Sequence, residues 1–126
     1  MPELARTVLI VDDEALILKL VEKMLRPRNF NIKVAPKPSE ALRIAESEPI
    51  HLLISDIALP EMDGKRLSEK ILKLCPDAAV LLISGRYHEN SAVVKSARVK
   101  FLPKPFFPSD LLKALDELFP PAEKPA

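Results

Sequence analysis

With 126 residues, 48% of them hydrophobic and 29% charged, the chain is sized and composed for one compact domain with its own core, not for a disordered segment. A formal net charge of +1 offers no basic footprint for nucleic acid. The apolar runs fall far short of a membrane span, and Met1–Arg6 leads into no signal-peptide core, so no membrane association is expected. The single cysteine, Cys75, excludes an internal disulfide and a multi-cysteine metal cage; the expectation is a soluble cytoplasmic domain.

In chain order, "TVLIVDD" (Thr7–Asp13) is a β-branched run of the kind buried on both faces of a sheet. Leu16, Ile17, Leu20, Val21, Met24 and Leu25 then fall on one helical stripe, which Pro27 ends. "FNIKVA" (Phe30–Ala35) alternates like a strand, and Ser39 is placed to cap a helix through Glu46 with Ala41, Leu42 and Ala45 inward. "HLLISD" (His51–Asp56) is a third strand. Leu67, Ile71, Leu74 and Cys75 mark a third helix up to Pro76, and "AAVLLIS" (Ala78–Ser84) is a fourth strand. A short fourth helix is expected from about Asn90 to Arg98, then a fifth strand at "KFL". Ser109 would cap a last helix with Leu111, Leu112, Leu115, Leu118 and Phe119 inward. The domain is expected over residues 1–119, and 120–126, "PPAEKPA", as a solvated tail or the start of a linker.

Strand and helix thus alternate five times. Right-handed crossovers turn that order into an α/β fold, a doubly wound parallel five-stranded sheet with helices on both faces. In such sheets chemistry gathers beyond the carboxyl ends of the strands. Those ends carry Asp12–Asp13, Asp56, Ser84 and Lys104–Pro105. Singly, each has an ordinary structural reading: acidic residues opening a helix, an aspartate or Ser–Gly in a turn, a solvated lysine. Together those readings fail, because three carboxylates converging on one crevice repel unless a cation sits among them. Hard oxygen donors suit Mg2+, and an ammonium with a hydroxyl across the crevice suits a phosphoryl group.

The segments "VLIVDDE" (Val8–Glu14), "LLISDIALPEMDG" (Leu52–Gly64), "LLISG" (Leu81–Gly85) and "FLPKPF" (Phe101–Phe106) resemble the receiver domain of two-component response regulators, over roughly Arg6 to Phe119. The resemblance implies the flavodoxin-like (βα)5 fold with strand order 2-1-3-4-5. It implies Asp56 as phosphoacceptor, Lys104 on the phosphoryl oxygens, and Ser84 bonding one of them after transfer. Asp12, Asp13 and Asp56 would bind Mg2+ together with the backbone carbonyl of Ala58, Asp12 chiefly through water. Phe101 stands at the family's switch aromatic, and Lys104–Pro105 is expected to be cis. The implied function is a phosphorylation-controlled switch. It accepts a phosphoryl group from a histidine kinase or phosphotransfer protein and presents an altered face of fourth helix, fifth strand and last helix to a partner. It would catalyse only its own phosphorylation and dephosphorylation, as a monomer or weak homodimer, standing alone or excised from a longer regulator or hybrid histidine kinase.

The sequence departs from the family's usual pattern in three places. Ser84 to Lys104 is slightly short, with Ala97–Arg98 where Gly–Ala is usual, so the fourth helix is expected to be short or irregular. Phe101 lacks the hydroxyl of a switch tyrosine, which leaves packing to carry the signal. Ala58 and Arg86 occupy the positions that tune dephosphorylation, and Ala58 cannot orient an attacking water; slow loss of the phosphoryl group is expected. Two other readings compete. A receiver-like interaction module that is never phosphorylated usually lacks the acidic pair, the acceptor or the lysine, all retained here. A Mg2+-dependent hydrolase with an Asp nucleophile would need a cap or a second general acid that this chain has no residues to build. His51, His88 and Cys75 read as structural or surface residues.

Overall fold

The computed structural model describes residues 6–84 and 99–118. The expected fourth helix, Arg86, His88, Ala97–Arg98, Phe119 and the tail over 120–126 lie outside the described residues. The elements are β1 (Thr7–Val11), α1 (Ala15–Leu25), β2 (Asn31–Ala35), α2 (Pro38–Ser47), β3 (Leu52–Asp56), α3 (Gly64–Leu74), β4 (Ala79–Ser84), β5 (Val99–Pro103) and α4 (Pro108–Leu118). The strands form one all-parallel sheet in the order β2-β1-β3-β4-β5, as expected.

Because side chains alternate across a strand, each central strand feeds two cores. Val8, Ile10, Leu52, Ile54, Leu81 and Ile83 face one side and meet Val21 and Leu25 of α1 with Leu111, Ala114 and Leu115 of α4. Leu9, Val11, Leu53, Val80 and Leu82 face the other and meet Ala41 and Ala45 of α2 with Leu67 and Ile71 of α3. β1 and β3 are buried along their whole length, which is why they read as unbroken apolar runs. Surface ion pairs Arg28–Asp116 (2.9 Å) and Lys100–Glu117 (3.0 Å) tie α4 to its neighbours, contributing little at such exposure.

Several local expectations are corrected. The apolar stripe of α1 is wider than its buried face: Val21 and Leu25 are buried, whereas Leu16 and Leu20 are 68% and 46% exposed. On α3, Leu74 is exposed while Cys75, just past the helix, is buried, its Sγ accepting from the Ile50 N–H at 3.4 Å. α2 begins at Pro38 with Lys37 in the N-cap position, so Ser39 lies inside the first turn and does not cap it. Proline fits that first position because its missing N–H has no intrahelical partner to lose. At α4 the Asp110 carboxylate reaches back to the Phe107 N–H (2.8 Å), and Ser109 again sits within the first turn.

Candidate functional site

Every residue of the site hangs from a strand end at one edge of the sheet. β1 delivers Asp12 and Asp13, β3 ends on Asp56, β4 ends on Ser84, and β5 runs into Lys104. Strand register keeps these ends level: Asp56 lies opposite Ile83, and Ser84 opposite Pro103. The Lys104 N–H donates to the Ser84 carbonyl at 2.9 Å, so the lysine and the serine share one backbone link. The Lys104–Pro105 peptide bond is cis.

The Lys104 ammonium lies 3.3 Å from Asp56 Oδ2, and the Ala58 N–H donates to Asp56 Oδ1 at 3.3 Å. Asp56, 8% exposed, therefore has one oxygen on each side engaged by a weak, long contact. Asp12 is 2% exposed. Its Oδ1 accepts the Glu14 N–H at 2.9 Å, helping to open α1, while among the described residues its Oδ2 is buried with no hydrogen-bond partner. Burial, above all, raises the Asp12 pKa over the ordinary aspartate value; Asp56 and Asp13 push the same way, against the Glu14 N–H and Lys104.

A buried carboxylate oxygen with no donor marks a place for something the protein does not itself supply. Among the described residues Asp12, Asp13 and Asp56 form a group of three potential metal ligands, their oxygens within 4.8 Å of one another. Two buried carboxylates and one exposed one, all hard oxygen donors, fit a divalent cation such as Mg2+ that keeps part of its water shell. His51 does not join them. Its Nδ1 accepts the Thr7 N–H at 2.9 Å at the opposite end of the sheet, as a structural residue would.

The profile of the response regulator receiver domain family matches residues 8–116. The chain belongs to that family. A receiver domain solved from the hybrid histidine kinase CckA is 33% identical, with a TM-score of 0.76 over 89% of this chain and 98% of that one. The transcriptional regulatory protein GlrR of Escherichia coli K12 is 32% identical over 111 residues, covering 86% of this chain and 25% of GlrR. An NtrX-like putative response regulator of Rickettsia bellii is 39% identical over 103 residues, covering 79% of this chain and 22% of its own length. The receiver domain thus spans a quarter or less of these two curated relatives.

The geometry gathers Asp12, Asp13, Asp56 and Lys104, with Ala58 against Asp56 and Ser84 on the adjoining strand. Phe101 is half-buried on β5, packed against the cluster beneath α2 and α3. Two residues of the site's frame were not singled out from sequence. Gly64 opens α3 pressed against the backbone of Asp56: a Cβ there would lie well inside van der Waals contact of the Asp56 carbonyl oxygen and 3.0 Å from Ile57 Cα. Its backbone is not in the left-handed region, so space and not conformational freedom demands glycine. Glu61 accepts from Ser39, joining the loop after β3 to the first turn of α2 across 22 residues of sequence. The local signal "MDG" does find the cap of α3, where Asp63 Oδ1 accepts the Arg66 N–H at 2.9 Å.

Proposed function

We propose that this receiver domain is a phosphorylation-controlled switch in which Asp56 accepts a phosphoryl group from the phosphohistidine of a kinase or phosphotransfer protein. An Asp56 carboxylate oxygen attacks phosphorus, the P–N bond breaks, and the imidazole leaves as the acyl phosphate forms. The protein contributes position and charge more than bond-making. The Ala58 N–H orients one Asp56 oxygen. The Lys104 ammonium, freed from the other, counters charge on the phosphoryl oxygens. Asp12, Asp13, Asp56 and the Ala58 carbonyl would hold Mg2+, which supplies positive charge to the phosphoryl group. The protein would turn over nothing but its own phosphoryl group.

The product carries about two negative charges and three strong acceptor oxygens at a site built around one. The Ser84 hydroxyl would turn toward it, and Phe101 would move further inward to fill the space behind. The change would be read on the face bearing β5 and α4. Leu16 and Leu20, exposed on the helix that opens beside Asp12 and Asp13, give an incoming donor protein an apolar footing. The retention of Asp12, Asp13, Asp56 and Lys104 speaks against an interaction module that is never phosphorylated.

The observation that carries this reading is that, among the described residues, the buried Asp12 Oδ2 has no partner and lies beside an Asp56 whose carboxylate is held by Lys104 and one N–H. The test is incubation with a small radiolabelled phosphodonor. The expected result is Mg2+-dependent labelling that saturates at one group per chain, vanishes in Asp56→Asn, and consumes further donor no faster than the labelled form decays. Labelling that survives Asp56→Asn shows that Asp56 is the wrong carboxylate, and turnover of the donor much faster than decay of the labelled form makes the protein a hydrolase.

A further inference from the structure

We propose that Glu61 is a positioning residue of this site: by clasping the first turn of α2, its carboxylate fixes the loop that presents Ala58 to Asp56 and to a bound divalent cation. The inference rests on the reading of Asp56, Ala58 and the two acidic residues given above. Glu61 uses both its oxygens on one residue, Oε1 accepting the Ser39 N–H at 2.8 Å and Oε2 the Ser39 hydroxyl at 3.2 Å. The first turn of α2 has donors to give, because Lys37 at its N-cap makes no side-chain capping bond. A carboxylate there is also favoured by the helix dipole.

The loop between β3 and α3 is hydrogen-bonded at its ends, and between them Leu59 and Met62 pack half-buried against the cluster beneath α2 and α3 without fixing the direction of the backbone polar groups. At its start Ile57 donates to the Ile83 carbonyl (2.9 Å), and Ile57 in turn accepts from the Gly64 N–H at 2.7 Å, closing the loop on itself. Between those anchors the Ala58 N–H makes only a long contact of 3.3 Å to Asp56. Among the described residues, the Glu61 clasp is the hydrogen bonding that adds direction to this packing, tying the outer part of the loop to the first turn of α2. Glu61 is itself exposed, so packing does not demand a carboxylate at this position. A loop released from α2 would present the Ala58 backbone over a wider range of positions, weakening a cation held in part by it. Groups that orient metal ligands in this way typically govern affinity by a factor of ten or more.

The experiment compares the full chain with Glu61→Ala and Glu61→Gln, reading the Mg2+ dissociation constant by calorimetry, the half-life of the phosphorylated form, and the melting temperature. Glu61→Gln keeps an amide oxygen for the Ser39 N–H and removes the charge, while its amide nitrogen can donate to the Ser39 hydroxyl oxygen in place of the bond that Oε2 accepts. Because the clasp is solvent-exposed, Glu61→Ala should weaken Mg2+ binding about tenfold, the low end of what such orienting groups carry. It should also alter the half-life, while Glu61→Gln stays near wild type. An unchanged Mg2+ constant in Glu61→Ala overturns the proposal, including when its melting temperature falls, because the clasp is then merely structural. Equal weakening in both variants overturns it too, assigning the effect to charge. If the wild type neither binds Mg2+ nor takes a phosphoryl group, the reading of the acidic site fails, and the clasp's role with it.

Discussion

Asp12→Asn should make the metal-free protein more stable at neutral pH while weakening its response to Mg2+. The substitution is nearly isosteric: an Asn oxygen can still accept the Glu14 N–H, now at 2.9 Å from Asp12 Oδ1, and the amide nitrogen replaces the buried Oδ2 that has no partner among the described residues. What disappears is a negative charge whose oxygen lies within 4.8 Å of those of Asp56 and Asp13. A like-charge pair at that separation costs about 0.9 kcal/mol at the dielectric of water and about 3.5 kcal/mol at an effective dielectric near 20. Losing the attraction to Lys104 takes back part of this, leaving a net gain of about 1–2 kcal/mol. For a domain of this size that is a rise in melting temperature of roughly 5 °C.

The pH dependence follows from the raised pKa of Asp12, caused first by burial. A carboxyl that ionises less readily in the folded state favours folding below its ordinary pKa. That contribution is lost as pH rises through the raised value. Asparagine does not titrate, so its advantage should be small in mild acid and complete by neutral pH. Urea unfolding in EDTA across that range measures it. Adding Mg2+ at about a hundred times its dissociation constant should stabilise the wild type by roughly 2.7 kcal/mol and the variant by less. A variant that unfolds no later than wild type in EDTA at neutral pH, or an advantage independent of pH, refutes the argument that crowded carboxylates strain the empty crevice.

Gly64→Ala should destabilise by about 1–3 kcal/mol in urea unfolding, because its Cβ meets the Asp56 carbonyl and the Ile57 backbone, which cannot swing aside as a side chain would. It should also slow labelling of Asp56, and stability equal to wild type would show that the approach relaxes without cost. Ala58→Asn should shorten the life of the phosphorylated form about tenfold, the rate equivalent of roughly one hydrogen bond of 1.4 kcal/mol to the attacking water; an unchanged decay in a radiolabel chase would sink that role for the position.

The strand ends were legible because the two facts that define them, unbroken apolar runs and the polar residue that stops each one, are local. Asp12, Asp13, Asp56, Ser84 and Lys104 needed only the rule that parallel strands end at one edge to be brought together. The breadth of a buried face was less legible. The spacing of Leu16 and Leu20 matches that of Val21 and Leu25, and an apolar arc on a helix does not say which part of it the sheet covers. Ser39 was misread as a cap for a similar reason. Serine favours the N-cap, but Pro38 takes the first helical position, for which its fixed backbone suits it, and the helix begins two residues sooner. Gly64 and Glu61 left still weaker signals, since a close backbone approach and a hydrogen bond between a loop and a helix distant in sequence have no periodicity to reveal them.

The same geometry shows why a charge on Asp56 would be felt beyond the crevice. Lys104 joins the two halves of the site: its side chain pairs with Asp56 at 3.3 Å, and its backbone N–H holds the Ser84 carbonyl at 2.9 Å. A lysine side chain can follow a new phosphoryl oxygen by turning about its own flexible stem, leaving that backbone bond intact. The ends of β4 and β5 would then stay in register, and under the proposed function the change would be taken up by side chains, the Ser84 hydroxyl and then Phe101. On the β3 side, Gly64 against the Asp56 carbonyl and Glu61 on α2 hold the acceptor's backbone still. In the proposed switch, a rigid acceptor facing a compliant lysine and serine would direct the response toward β5, whose half-buried Phe101 packs on the α2 and α3 side of the sheet while α4 covers the other.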